Sequence, residues 1–542
     1  MALEPLEGIV DSRVRRLLLP KRIAWVSGQV EGAPNLLNDD DAACVMRPGA
    51  ALLLDFGREL HGGIRLDVPD TSTRKAARVR IRFGESASEA MGTPNNDHSI
   101  HDFDVRAPWM GHIELGNTGF RFVRIDLLDA ETAITLRHAR AVFVHRPVEY
   151  LGSFRCSDPL LNRIWETGAY TVHLCMQDLV WDGIKRDRLP WIGDLHPEAM
   201  VISTVFGNDR LVPATLDYVR DRTPLPGWMH GISSYSLWWI LIHYDWYLYH
   251  GDLKYLKEQR DYLVGLLAHI ESLVDASGQE HLDGYRFLEW PTSRDPAAID
   301  FGLQALTAIA LVRGFALLRV LNRKKEAARA ALAHQRAMAC RRAPTASKQA
   351  NALAVLAGMA DAAETNRKIL AKDPYRGLST FYGYYILQAR ARAGDCAGCL
   401  RLIRNYWGGM LKMGATTFWE GFETDWMKGS TRIDELPQEG KRDIHADFGD
   451  FCYPGLRHSL CHGWAAGPTA WLTEHVLGLA PATLGFAGLR VTPHLANLKF
   501  AEGALPTPLG IVKVRHTRRD DGRIETELTV PKGVRVERQA WG

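Results

Sequence analysis

From about residue 155 to residue 480 the chain repeats apolar residues at helical spacing, segment after segment, with no strand-like run between them. The segments cover 235–250, 253–275, 298–322, 324–342, 347–360, 362–371, 380–393, 396–407 and 463–478. The first helix opens on Leu160, Leu161, Ile164 and Trp165, after Asp158 and Pro159, an N-cap followed by a proline in the first turn. So many helices in series must either stack as a solenoid or close into a toroid. No fixed period of roughly 30 to 50 residues recurs, which argues against a solenoid. The pattern predicts paired helices closed into an α/α barrel over 151–482.

Both flanks have a different texture. Residues 40 to 150 hold short alternating runs such as "ARVRIRFGE" and "FRFVRIDLL", broken by Gly, Pro, Asn and Asp. Val79, Ile81 and Phe83 alternate there with Arg78, Arg80 and Arg82. That predicts an antiparallel β-sandwich over 1–150. After Pro481 the alternation returns, with Asp521-Gly522 as a hairpin signal. This tail, 483–542, predicts a short C-terminal β-sandwich that packs on the helical domain, being too small to fold alone.

Composition narrows the function by exclusion. A formal net charge of +3 over 542 residues gives no electrostatic case for nucleic acid or an anionic membrane. No uninterrupted apolar run reaches the roughly 18 residues that span a bilayer. The Leu17–Leu19 run is too short for a signal-peptide core. Eight scattered cysteines make no disulfide framework, and Cys396 and Cys399 form a C-x-x-C without a second ligand pair. These features predict a reduced, cytoplasmic protein. No H-E-x-x-H, P-loop or G-x-G-x-x-G occurs, so neither a metal nor a cofactor is expected. The 16 tryptophans are the unusual number, fitting either a large aromatic core or sugar-stacking platforms.

Four loops join a tryptophan to a carboxylate or histidine. "DGIKRDRLPWIGD", 182–194, holds Asp182, Lys185, Arg186, Asp187, Arg188, Trp191 and Asp194. Pro197 is expected to start the next helix, placing Asp194 just before its positive end. "GATTFWEGFETDW", 414–426, sets Glu420 behind Trp419. A carboxylate amid aromatics is desolvated, which raises its pKa and suits acid–base work. "LRHSLCHGWAAGP", 456–468, holds His462, and "FLEWPTSRDP", 287–296, holds Glu289 and Trp290. Taken singly, each is more often a solvated network, a structural acid or a satisfied core histidine. Together, acid pairs beside flat aromatic faces are what glycosidic bond cleavage needs.

The order of domains and these segments resemble the bacterial α-L-rhamnosidases of glycoside hydrolase family 78, six-hairpin glycosidases, from about residue 50 to the end. "LLLDFGRELHGGIRLDV", "GSFRCSDPLLNRIWE", "GATTFWE", "SLCHGWAAG" and "TPHLANLKFAEGALPTPLGIVKVR" carry the likeness. The resemblance implies an (α/α)6 barrel between two β-sandwiches and an inverting hydrolase for terminal α-L-rhamnose in oligosaccharides or glycosides. The family's signature D-x-x-x-R-D-E-R-x-G-W-x-G-D has its general acid at the Glu. Asp182, Arg186 and Asp187 match it from the left; Trp191, Gly193 and Asp194 match from the right. The stretch between is one residue short. Counting back from Trp191 puts Asp187 on the acid's position, one methylene shorter than Glu, a gap of about an ångström for the site to absorb.

The resemblance further implies Glu420 as general base and His462, Glu289 and Trp290 as sugar contacts. Asp182, Arg186, Arg188 and Asp194 then hold hydroxyls, and Trp191, Trp290 and Trp419 wall the ring. Inversion requires the two carboxyl groups to stand roughly 6.5 to 9.5 Å apart. Two rivals stay open. A uronate lyase would use Lys185, Arg186, Arg188 and His462 on a rhamnosyl-glucuronate-type substrate. A degenerate barrel would bind rhamnosides without cleaving them.

Overall fold

The computed structural model describes residues 11–93 and 101–538. The ends of the predicted outer domains, at 1–10 and 539–542, lie outside the described residues. The chain divides into two compact units. The first comprises Met1–Glu149 with His173–Val180 and Ile184–Arg186; the second holds everything else.

The first unit is built on two antiparallel sheets, one seven-stranded and one four-stranded. Ala51–Val68 and Gly111–Leu127 are the long central pair, running from Ala51 opposite Asp126 to Val68 opposite Gly111 with the register shifting between Asp55 and Leu60 and between Gly62 and Ile64. Ala77–Gly84 adds beside them, pairing Ile81 with Ile125. Along it Val79, Ile81 and Phe83 are buried, as period-two alternation dictates. A short helix, Ala87–Met91, follows, capped by Ser86, whose side chain accepts from Glu89 N.

The second unit is mostly helical. Helix α1 is Pro159–Cys175, and the Asp158 carboxylate accepts from Leu160 N at 2.9 Å. Then come α2 (Ile192–Val205), α3 (Leu211–Asp221), α4 (Ser233–His250), α5 (Arg260–Ser272) and α6 (Pro296–Val320). After these come α7 (Lys324–Ala339), α8 (Lys348–Ala357), α9 (Gly383–Arg392), α10 (Cys396–Lys412) and α11 (Gly467–Trp471). Helices α2, α4, α6, α8, α9 and α11 carry the core. Each packs on the next, and α11 packs back on α2, closing a ring. Helices α3, α5, α7 and α10 present only one stripe inward. Helix α6 is long and apolar enough to cross a membrane by length and composition, although Asp300, Gln304 and Arg313 interrupt its apolar run, and most of it is buried in this ring.

A four-stranded sheet completes the unit. Ser153–Cys156, ahead of the helices, pairs with Phe500–Thr507; Gly510–Arg518 and Ile524–Thr529 follow across the Asp521-Gly522 turn. All eight cysteines are free thiols.

Two expectations are corrected here. Pro197 does not start a helix: α2 begins five residues earlier, at Ile192, with Trp191 as N-cap. The proline removes one bond, to the Gly193 carbonyl, at a cost of about 3 kcal/mol. All fourteen residues of α2 are buried, and that packing outweighs the loss. The predicted helix 253–275 is interrupted at Gln259, leaving Leu253–Glu258 and α5.

Candidate active site

Asp194 is the third residue of α2, in the first turn. Tyr235, likewise the third residue of α4, donates its hydroxyl to Asp194 Oδ1 at 3.1 Å. The approach depends on Gly193: a Cβ there would stand 2.3 Å from the Tyr235 ring. Asp182 comes from the preceding loop. Its N–H donates to Leu189 O at 3.0 Å and its Oδ1 accepts from Leu189 N at 2.9 Å, so the loop is clamped onto itself. Gly183 forms a bridge with His462, and Asp182 O accepts from Gly463 N at 2.8 Å. Glu420 is brought in by extended pairing: its N–H donates to Ser459 O, and His462 N donates to Phe418 O, both at 2.9 Å.

These segments put four titratable groups around one point. His462 Nε2 lies 3.6 Å from Asp182, 3.8 Å from Glu420 and 4.0 Å from Asp194. All four side chains are buried. Burial pushes the Asp194 carboxyl up to about 8, with the negative charges of Asp182 and Glu420 adding to the shift. Asp182 is also raised by burial, against the pull of His462. His462 is raised: burial opposes its charge, but three surrounding carboxylates prevail. Its Nδ1 is buried without a hydrogen-bond partner among the described residues. Asp182, Asp194 and His462 offer ligand atoms within 4.8 Å of one another, a spacing that could hold a cation, although the sequence reading assigned no metal.

Glu289, Trp290, Glu420 and Trp464 line one small cavity of about 60 Å³. Burial pushes Glu289 up to about 7, and Ser379 Oγ donates to its Oε2. Trp290 is half-buried, its ring 5.0 Å from Phe287 and 6.3 Å from Phe451. Trp191 is half-buried too, 4.7 Å from His230.

Asp187 is placed differently. It is exposed at a corner where it and Arg188 both take left-handed backbone, φ 54° and 55°. Its charge still reaches Asp182 and raises that carboxyl. Arg188 is half-buried, with its guanidinium 6.0 Å from the Trp181 ring.

Two residues leave the set. Trp419 was expected to wall the sugar ring and is fully buried instead, edge-on to Phe422 and His458. In the extended segment 418–420 side chains alternate, so turning Glu420 toward His462 turns Trp419 away. Lys185, a cation in the lyase alternative, belongs to the first unit, where its ammonium lies 2.8 Å from Glu89 and 3.4 Å from Glu85. Arg186, buried, groups with the same unit. Tyr235 and Trp464, whose Nε1 donates to Glu420 O at 2.9 Å, were not picked out as site residues. Tyr235 sits in "SSYSLWW", with no charge or turn to mark it.

Residues 149–371 match the family described as bacterial alpha-L-rhamnosidase 6 hairpin glycosidase domain. This segment is therefore similar to the six-hairpin glycosidase domains of bacterial α-L-rhamnosidases. The chain is 24% identical over 538 residues to an alpha-L-rhamnosidase of Alteromonas sp. (strain LOR), covering 90% of this chain and 55% of that protein. Among solved structures, a GH78 rhamnosidase of Bacillus sp. GL1 superposes with TM-score 0.76 at 23% identity, over 93% of this chain and 55% of the other. A rhamnosidase from Klebsiella oxytoca with rhamnose bound gives 0.69 at 20%, over 85% of this chain and 96% of that one. The chain therefore spans about half the length of the Alteromonas and Bacillus proteins and nearly all of the Klebsiella one.

Proposed function

We propose that this chain is a glycoside hydrolase releasing terminal α-L-rhamnose from oligosaccharides or glycosides, with inversion. The ring of helix pairs is read as an (α/α)6 barrel between two β-sandwiches. The observation that carries the reading is the convergence of Asp182, Asp194, Glu420 and His462, all buried, in a rhamnosidase-type domain. Glu420 is the general base: it activates a water on one face of the sugar while a carboxylic acid protonates the leaving oxygen on the other. Trp290 walls the ring, and Asp182, Arg188, Trp191, Glu289 and His462 surround it.

Two carboxyls compete to be that acid. Asp187 occupies the acid's position when the motif is counted from Trp191, and its exposure suits contact with a departing aglycone. Asp194 is favoured by a different observation: burial holds it protonated at neutral pH, the state a proton donor must start from. The lyase alternative loses a cation, because Lys185 is engaged by Glu85 and Glu89.

The test is incubation with p-nitrophenyl α-L-rhamnopyranoside and rhamnose-capped disaccharides, followed by NMR. Release of β-rhamnose as the first anomer is expected. An α-anomer would refute inversion, a product absorbing at 232 nm would establish the lyase, and binding without any product would leave a sugar-binding barrel.

A further inference from the structure

The helix ring has a second hollow. At the N-terminal ends of α2 and α4 stand Asp194 and Tyr235. Along the later turns of the ring helices lies a cavity of about 1090 Å³, sharing no lining residue with the one that holds Glu420. An aromatic layer lies between them. Trp238 stacks on Tyr385 at 4.7 Å, Tyr382 meets Tyr385 at 5.0 Å, and His196 stacks on Tyr385 at 5.7 Å.

The polar groups inside are arranged unevenly. His196 spans the layer: Nδ1 is 2.9 Å from Tyr385 OH and Nε2 is 3.0 Å from Asp245 Oδ2. Asp245 Oδ1 has no hydrogen-bond partner among the described residues, and its side chain remains 16% exposed to the cavity. Glu474, by contrast, is satisfied, accepting from Tyr249 OH at 2.9 Å, Gln388 Nε2 at 2.5 Å and Tyr384 OH at 3.4 Å. Arg313, Arg392 and Arg490 line the same cavity. Arg392 and Arg490 are exposed, and Arg313 lies 3.8 Å over the Tyr244 ring. His475, beside Arg490, is pushed down to about 3 by burial and adds no counter-charge.

We propose that this cavity is a second saccharide site, selective for an acidic sugar and separate from the candidate active site. The apolar part of the lining, with Leu241, Tyr244, Ile309 and Leu353, suits the C–H faces of pyranose rings. The open oxygen of Asp245 accepts from ring hydroxyls. Arg392 donates to the Val355 and Leu356 carbonyls at 3.2 and 2.9 Å, which leaves Arg313 and Arg490 on the lining to meet a carboxylate, for which guanidinium forks are the fitting donors. The volume exceeds the roughly 300 Å³ at which ligand pockets begin. This inference does not depend on the hydrolase reading, since none of its residues is assigned to catalysis.

The experiment is calorimetry and saturation-transfer NMR on the full chain, with α-1,4-linked digalacturonate as probe and cellobiose as its neutral counterpart. Digalacturonate is expected to bind, and cellobiose at least about tenfold more weakly, one charge-assisted contact's worth of affinity. Arg313→Ala with Arg490→Ala, both on the cavity's lining, should weaken digalacturonate by at least that factor, and Asp245→Asn should weaken it independently. Glu420→Gln should leave binding unchanged. No binding at about 10 mM probe, equal binding of cellobiose, or loss in Glu420→Gln with retention in the arginine variant would each overturn the proposal.

Discussion

Asp187 and Asp194 belong to one charged segment and end in opposite surroundings. Asp187 sits exposed on a left-handed corner. Asp194 sits in the first turn of a buried helix, bonded to Tyr235 and 4.0 Å from His462. In sequence both are simply acids beside arginines. What separates them is the start of α2, which pulls Ile192 to Asp194 into the core and leaves 187 and 188 as the turn that feeds it. Charge density in a sequence therefore marks where a site is without saying which charge is desolvated; the helix boundary decides that.

The sharpest way to break the comparison is catalytic. Positioned acid–base groups contribute about 10² to 10⁴ in rate. The variant lacking the true donor should lose that much on a rhamnosyl disaccharide, whose leaving alcohol needs a proton. It should keep most of its rate on the p-nitrophenyl glycoside, whose leaving group does not. Asp194→Asn is expected to show this split if the buried carboxyl is the donor, and Asp187→Asn if the exposed one is. Equal losses on both substrates for both variants would make neither the acid and confine them to holding the sugar.

A second measurement sharpens the difference through stability. Asp194, raised to about 8, keeps its proton in the folded chain while an unfolded aspartate, near about 3.9, has lost it. Between those values the folded state binds the extra proton. The stability it contributes is complete below about pH 4 and lost as pH rises through about 8. One such group gives a slope of at most ~1.4 kcal/mol per pH unit. Urea unfolding from pH 5 to 8.5 should show a flatter slope for Asp194→Asn than for the parent. His462, also raised, gives a contribution of the same sign and remains in both proteins. If Asp194→Asn keeps the parental slope, Asp194 does not hold its extra proton in the folded chain and its buried surroundings have been misassigned.

Much of this was legible in the sequence because it rests on periodicity. The helical run from Asp158 onward and the alternation of Val79, Ile81 and Phe83 are local signals, read from spacing alone. Glu420, His462 and Asp182 could be picked out because each sits beside a tryptophan or glycine in a turn. What was not legible depends on long-range pairing. Trp419 looked like a platform until Glu420 N paired with Ser459 O and fixed which of two neighbours faces inward. Pro197 looked like a helix start because the loss of a backbone bond is local, whereas the burial that outweighs it comes from the ring. Tyr235 carries no sequence mark because its role is to reach another helix.

The smallest expected effect tests the exposed half of the segment on its own terms. Left-handed backbone costs a residue with a Cβ roughly 1 to 2 kcal/mol, and glycine almost nothing. At Arg188, φ 55°, truncation to alanine removes the guanidinium over Trp181 but keeps the strain. Arg188→Gly removes both, while giving back about 0.5 to 1 kcal/mol through a more flexible unfolded chain. Comparing these two variants cancels the lost side chain, so Arg188→Gly should be the more stable by a few tenths to about 1 kcal/mol. Arg188→Gly no more stable than Arg188→Ala would mean that this corner relaxes without its side chain, and Asp187 would then owe its exposure to a movable turn, with the fixed geometry beginning only at Trp191.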